Sequence, residues 1–188
     1  MNSPVDNDPF DLDFTSAFAK ETKVKEPEPT PQEQKQFVEE AIIGESKLTS
    51  NGFFVRINKA APNRKPRRAP PSVLVVEDDM VTATLIIRIL EGSGFTVKHA
   101  ANRDGIVAGL KSSPDLVILD VLMPDANGFD ILNRIRQHET LKDMPVLMLT
   151  SLGALDDILK GLKLGANGYL TKPAKSTALM DAIKSVLV

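Results

Sequence analysis

The sequence predicts an α/β fold: a doubly wound, five-stranded parallel sheet covered on both faces by five helices and preceded by a proline-rich extension. Three observations predict it. Short, nearly continuous apolar runs recur through the C-terminal part and alternate with segments whose apolar residues fall at helical spacing. Strands buried on both faces read as such runs, whereas half-exposed antiparallel strands alternate apolar with polar. Composition also changes at Pro70-Pro71, since residues 1–71 hold nine of the thirteen prolines.

The elements follow in order. Ser72–Glu77 (SVLVVE) reads as a first buried strand. Met80–Leu90 places Leu85, Ile86, Ile89 and Leu90 at helical spacing and stops at Gly92 and Gly94. Phe95–His99 is a second strand, and Arg103–Lys111 a helix with Ile106, Val107 and Leu110 on one face. Asp115–Asp120 (DLVILD) is the third strand, and Gly128–His138 a helix turning Ile131, Leu132 and Ile135 inward. Pro145–Thr150 (PVLMLT) is the fourth strand, Ala154–Leu164 a helix, Gly168–Leu170 a short fifth strand and Ala174–Leu187 the last helix. Alternating strands and helices make right-handed crossovers, which leave few topologies. The flavodoxin-like order 2-1-3-4-5 is expected, with chemistry at the carboxyl ends of the strands.

Composition removes several classes of function. The chain of 188 residues has a net charge of −2, so its overall charge calls for neither nucleic acid nor an anionic surface. It has no cysteine, which excludes disulfides, thiolate metal sites and thiol catalysis. No run approaches the roughly 20 apolar residues of a membrane span. The acidic start (Asp6, Asp8, Asp11, Asp13) is unlike a signal peptide, so a cytoplasmic location is expected.

The predicted strand ends gather unusual groups. The first strand ends in Glu77-Asp78-Asp79, the third in Asp120 and the fourth in Thr150, and Lys172-Pro173 follows the fifth. Neighbouring carboxylates repel by about 4 kcal/mol per pair at an effective dielectric near 20, so a cation is expected among them. Oxygen ligands without nearby His or Cys suit Mg²⁺. Asp120 then has the surroundings of a carboxylate nucleophile toward phosphorus, with Lys172 neutralising equatorial oxygens. His99 and His138 match no metal or catalytic spacing.

These residues resemble the receiver domain of two-component response regulators over essentially all of 72–188. LVVEDD is similar to the family's acidic pair, DVLMPDANG to the segment around its phosphorylated aspartate, and GANGYLTKP to its lysine segment. The resemblance implies that Asp120 is the phosphoacceptor. It implies that Asp78 is a direct metal ligand, that Glu77 acts through water and that the backbone carbonyl of Leu122 is a further ligand. Thr150, thirty residues after Asp120, takes the place of the switch hydroxyl, and Lys172, fifty-two after it, that of the invariant lysine. Tyr169 takes the place of the switch aromatic. The Lys172–Pro173 bond is expected cis. The implied donor is a phosphohistidine on a sensor histidine kinase or a histidine phosphotransfer protein. The implied output is a partner that reads the face formed by the fourth helix, fifth strand and fifth helix. The domain acts on itself and is not expected to be an enzyme with an external substrate. Leu122 and Leu152 flank the pocket, and their apolar character predicts slow hydrolysis of the acyl phosphate.

Residues 1–71 read as a largely disordered extension and linker. An acidic-aromatic stretch (Phe10, Leu12, Phe14, Phe18) has the pattern of a docking peptide. A capping box at Thr30–Glu33 predicts a short helix over 31–43, and Asn51-Gly52 predicts a hairpin over 47–57. Such a piece buries too little apolar surface to stand alone and is expected to dock on the receiver, a second copy or a partner. The basic block at 59–68 has no aromatic between its charges, so nucleic acid is not the expected partner. Beside a phosphorylation-controlled adaptor, the sequence admits a phosphorelay intermediate and a transcription regulator using the basic linker. A phosphatase of the haloacid-dehalogenase kind ranks last, because position 122 is Leu where that family has a second Asp.

Overall fold

A computed structural model gives the structure of residues 54–56, 66–67, 69–151 and 155–187. The short helix expected at 31–43, the first arm of the hairpin and residues 1–53 generally lie outside the described residues, as does Leu152.

The strands are β1 (Phe54–Arg56), β2 (Ser72–Val76), β3 (Thr96–Ala100), β4 (Leu116–Asp120), β5 (Leu122–Met123), β6 (Ala126–Asn127), β7 (Val146–Thr150) and β8 (Gly168–Thr171). The helices are α1 (Met80–Gly92), α2 (Arg103–Lys111), α3 (Gly128–Gln137), α4 (Leu155–Lys163) and α5 (Ser176–Val186). The main sheet has the order β1-β8-β7-β4-β2-β3, and β5 and β6 form a separate small antiparallel pair. Without β1, five parallel strands remain in the expected order 2-1-3-4-5.

Period-two alternation divides the apolar residues between two cores. Val73, Val75, Leu116, Ile118, Leu147 and Leu149 face one side, where α1 contributes Ile86 and Leu90 and α5 contributes Leu179 and Ile183. Leu74, Val76, Val117, Leu119, Val146 and Met148 face the other, where α2 contributes Ile106 and Leu110, α3 Ile131 and Ile135, and α4 Ile158. Burial of each such side chain stabilises the fold by about 1.5–3 kcal/mol, which is why β2, β4 and β7 carry almost nothing polar before their last residues. The edge strand β3 is more exposed and carries Lys98. Chain reversal after α1 falls on Gly94, whose φ of +87° is the left-handed conformation that glycine adopts without strain.

The sheet differs from expectation at one edge. The sequence pairs the strand around Phe54 with residues 47–50, which lie outside the described residues; the structure adds a partner the sequence did not indicate, since Phe54–Arg56 pairs antiparallel with β8, with Val55 opposite Tyr169. The turn signal at Asn51-Gly52 placed the strand, whereas β8 lies more than a hundred residues away, beyond the reach of such a signal.

The amino ends of the strands are tied by Asp115. It accepts from the Arg67 N–H at 2.7 Å, the Ser72 N–H at 2.9 Å and the Ser72 hydroxyl at 2.9 Å. This fixes the linker under the sheet. Arg136 at the end of α3 donates to the carbonyls of Gly165, Lys142 and Met144 and to Asn167 Oδ1, holding the loops around β7 and β8. Burial pushes its guanidinium down to about 10, and nearby Asp143 works against that.

Candidate functional site

The parallel strands deliver their last residues to one end of the sheet. Glu77 follows β2, Asp120 ends β4, Thr150 ends β7 and Lys172 follows β8. The register makes these neighbours: Asp120 pairs with Leu149, Thr150 pairs with Thr171, and the Lys172 N–H donates to the Thr150 carbonyl at 2.8 Å.

Glu77, Asp78 and Asp120 each bring a carboxylate oxygen within 4.8 Å of the others. Glu77 is fully buried, Asp120 is 2 % exposed and Asp78 is half-buried. Lys172 Nζ lies 2.8 Å from Glu77 Oε1, 2.7 Å from Glu77 Oε2 and 2.9 Å from Asp120 Oδ2. Burial raises the Glu77 carboxyl above the ordinary glutamate range and Asp120 adds to this, while the hydrogen bond from Lys172 opposes it. Burial works to lower the Lys172 ammonium, but hydrogen bonds to Glu77 and Asp120 and their charges outweigh it, and its pKa is raised. One ammonium among three clustered carboxylates leaves the pocket electron-rich. The donors are all hard oxygens, and this fits a divalent cation of the Mg²⁺ kind.

The third acid of the Glu-Asp-Asp run goes elsewhere. Asp79 caps α1, accepting from the Val81 N–H, the Thr82 N–H and the Thr82 hydroxyl at 2.6 Å. The Thr82 hydrogen bonds, foremost that of the hydroxyl, hold its carboxyl below the usual range. Cap and cluster are separated because the helix starts directly after the acidic pair.

After Asp120 the chain turns tightly. Leu122 pairs with Asn127, whose side chain caps α3 by accepting from the Phe129 N–H at 2.9 Å. Gly128 packs against the backbone that carries Asp120: a Cβ there would crowd the Asp120 carbonyl oxygen and lie 2.9 Å from Val121 Cα. The Leu122 side chain is 53 % exposed at the rim, and Met80, Val81 and Leu85 of α1 are also exposed apolar residues.

Tyr169 on β8 is fully buried, and its hydroxyl has no hydrogen-bond partner among the described residues. The Lys172–Pro173 bond is cis, as expected. Neither histidine joins the carboxylates as a ligand, but His99 Nε2 lies 2.8 Å from the Glu77 carbonyl oxygen, a second-strand contact that sequence spacing did not signal. His138 forms the C-cap of α3, and its Nδ1 accepts from the Thr140 N–H at 3.2 Å.

Comparison with known proteins agrees with this geometry. The family model described as "Response regulator receiver domain" matches residues 73–184. The DNA-binding dual master transcriptional regulator RpaA of Synechocystis sp. is 36 % identical over 120 residues, covering 62 % of this chain and 49 % of that protein. The transcriptional regulatory protein CusR of Escherichia coli is 38 % identical over 116 residues, covering 61 % of this chain and 50 % of that protein. The chain thus spans about half the length of these curated relatives. A solved structure of the chemotaxis protein CheY4 of Vibrio cholerae aligns with a TM-score of 0.59 at 30 % identity, covering 62 % of this chain and 98 % of that one. The relatives' names run against the expectation that nucleic acid is no partner, since one is DNA-binding and both regulate transcription. Among the described residues no helix is long and apolar enough to cross a membrane. A parallel sheet in the order 2-1-3-4-5, ending in an acidic cluster bridged by a lysine, and a family match across 73–184 lead to one assignment: the chain belongs to the response regulator receiver domain family of two-component systems, in its CheY-like form.

Proposed function

We propose that Asp120 accepts a phosphoryl group from a phosphohistidine on a sensor histidine kinase or histidine phosphotransfer protein, and that the acyl phosphate switches partner binding. One observation carries the reading: the Lys172 ammonium sits 2.9 Å from Asp120 Oδ2 inside a cluster of three carboxylates. A carboxylate oxygen of Asp120 attacks phosphorus, the P–N bond breaks, and the imidazole leaves with the electron pair. Lys172 turns its protons toward the transferred oxygens and offsets their charge. Glu77, Asp78, Asp120 and the Leu122 carbonyl would hold Mg²⁺, which neutralises donor and product charge when bound. Thr150, on the neighbouring strand end, donates its hydroxyl to the new acyl phosphate, and Tyr169 changes its packing in response.

Moving a two-state equilibrium from 1:99 to 99:1 takes about 5.5 kcal/mol of differential stabilisation. A dianion held by an ammonium, a hydroxyl and a metal has that capacity. The exposed apolar residues Met80, Val81, Leu85 and Leu122 offer a surface on which a donor protein can seat beside Asp120. The readout face is that of α4, β8 and α5, and the reading places the chain in the cytoplasm. Apolar Leu122 cannot orient a water, in keeping with a long-lived acyl phosphate.

The test is labelling by acetyl phosphate with Mg²⁺. Wild type is expected to gain one phosphoryl group, with Asp120→Asn gaining none and Lys172→Ala reacting at least tenfold more slowly. Equal labelling of wild type and Asp120→Asn would sink the reading. A second reading, control of transcription, is favoured by the names of RpaA and CusR. Duplex DNA binding that depends on phosphorylation and on Arg64, Lys65, Arg67 and Arg68 would establish it.

A further inference from the structure

The strand Phe54–Arg56 belongs to the extension, yet it completes the sheet at β8. That edge is not neutral ground. β8 carries Tyr169, and Lys172 follows its last residue directly. Val55 lies opposite Tyr169 and Phe54 opposite Leu170. On its other side β8 pairs with β7, whose last residue, Thr150, faces Thr171. A strand added at β8 therefore contacts, through one layer of backbone, the segment that positions both the lysine and the aromatic of the site.

The connection permits this docking at little entropic cost. Residues 57–71 join β1 to β2, with a reach of up to about 50 Å. In the sheet β1 and β2 lie four strand spacings apart, about 19 Å. Asp115 anchors the linker at Arg67, at the amino ends of the strands. A short tether of this kind gives the segment an effective concentration in the millimolar range at the edge. A free partner that adds a strand to β8 has to displace it.

We infer that the outer edge of β8 is an interaction surface whose resting occupant is this chain's own segment Phe54–Arg56, and that its occupancy is coupled to the charge state of the Asp120 pocket. The coupling rests on the phosphoacceptor reading above, whereas the occupancy does not. The docked segment accompanies the arrangement in which Lys172 bridges Glu77 and Asp120. An anion attached to Asp120 draws the ammonium away from Glu77 and disturbs the end of β8, so it disfavours docking. Linkage makes the effect reciprocal: whatever factor the anion removes from docking, docking removes from affinity for the anion. The extension is then released by the modification, and the edge opens to partners in the same step.

Hydrogen exchange on the full chain tests this with Val55→Pro and Arg56→Pro. Residues in an antiparallel pair alternate in bonding, so one of these two prolines removes a ladder donor. At least one variant is expected to lose tenfold or more protection at Gly168–Leu170 while amides of β4 keep theirs, which excludes general misfolding. Unchanged protection at β8 in both variants overturns the occupancy. Beryllofluoride with Mg²⁺ is the second arm, with Asp120→Asn as control. Wild type is expected to lose about tenfold protection over residues 54–56 on adding it, and the uncoupled variant to bind it about tenfold tighter. Binding of equal strength in wild type and both variants overturns the coupling but leaves the phosphoacceptor reading intact. No binding by wild type overturns both of these and leaves the occupancy to stand on the first arm.

Discussion

Asp78→Asn should make the metal-free protein more stable. Asp78 is half-buried, with a carboxylate oxygen within 4.8 Å of oxygens on both Glu77 and Asp120. At that separation two unit charges repel by about 0.9 kcal/mol at the dielectric of water and about 3.5 kcal/mol at an effective dielectric of 20. Two such repulsions act on Asp78, and the Lys172 ammonium, which bridges Glu77 and Asp120, offsets part of them. Removing the charge while keeping the shape should therefore stabilise the fold by about 1–3 kcal/mol. Urea unfolding followed by circular dichroism, with a chelator present, measures it. Mg²⁺ should reverse the ranking. A ligand at a hundred times its Kd adds about 2.7 kcal/mol to a protein that binds it, and the variant should gain far less than wild type. A variant no more stable than wild type in chelator, or one that gains as much from Mg²⁺, would refute the electrostatic account of the cluster.

Tyr169 is the single tyrosine in a chain without tryptophan, so its ionisation can be read by absorbance alone. Burial, with Asp157 adding to it, pushes its phenol far above the ordinary 10.0. The unfolded chain therefore releases this proton first, and stability is fully present below pH 10 and falls as pH rises beyond it. Tyrosinate absorbance should appear together with loss of the circular dichroism signal, and tyrosinate forming near pH 10 in a folded chain would contradict the burial. Gly128→Ala places a Cβ against the Asp120 and Val121 backbone, so it should destabilise by about 1–3 kcal/mol. It should also slow labelling beyond what a urea curve accounts for, whereas labelling at the wild-type rate would show that the backbone there yields freely. Asp115→Ala leaves the Arg67 N–H, the Ser72 N–H and the Ser72 hydroxyl without their acceptor; because Arg67 is exposed and Ser72 only half-buried, each should cost no more than the low end of the 1–3 kcal/mol per unsatisfied group, about 2–4 kcal/mol in all. Labelling at Asp120 should persist in that variant, because Asp115 lies at the opposite end of the sheet.

The receiver was legible because its signals are local. SVLVV, LVILD and VLMLT are buried on both faces, and a strand so placed has little room for polar residues. Each helix lies within two residues of its expected bounds, since apolar spacing and caps set its ends. Glu77, Asp78, Asp120 and Lys172 could be gathered from sequence because a parallel sheet aligns every strand end at one edge. Asp79 could not be told from its neighbours by type; its role as the α1 cap follows from where the helix starts. The His99 contact to the Glu77 carbonyl depends on the β2–β3 register, which apolar runs leave open. The union of β1 with β8 was illegible for a different reason. Strand propensity marks a segment that can pair, and Asn51-Gly52 points only to a local partner, whereas the β8 edge becomes available only once the whole domain has assembled.

Borohydride reduction of the labelled chain, followed by peptide sequencing, tests the central claim most directly. After incubation with acetyl phosphate and Mg²⁺, an acyl phosphate on an aspartate is reduced to homoserine, and the account places that homoserine at position 120. Homoserine at another aspartate, or unmodified aspartate at 120 in a chain that carries phosphate, would contradict it.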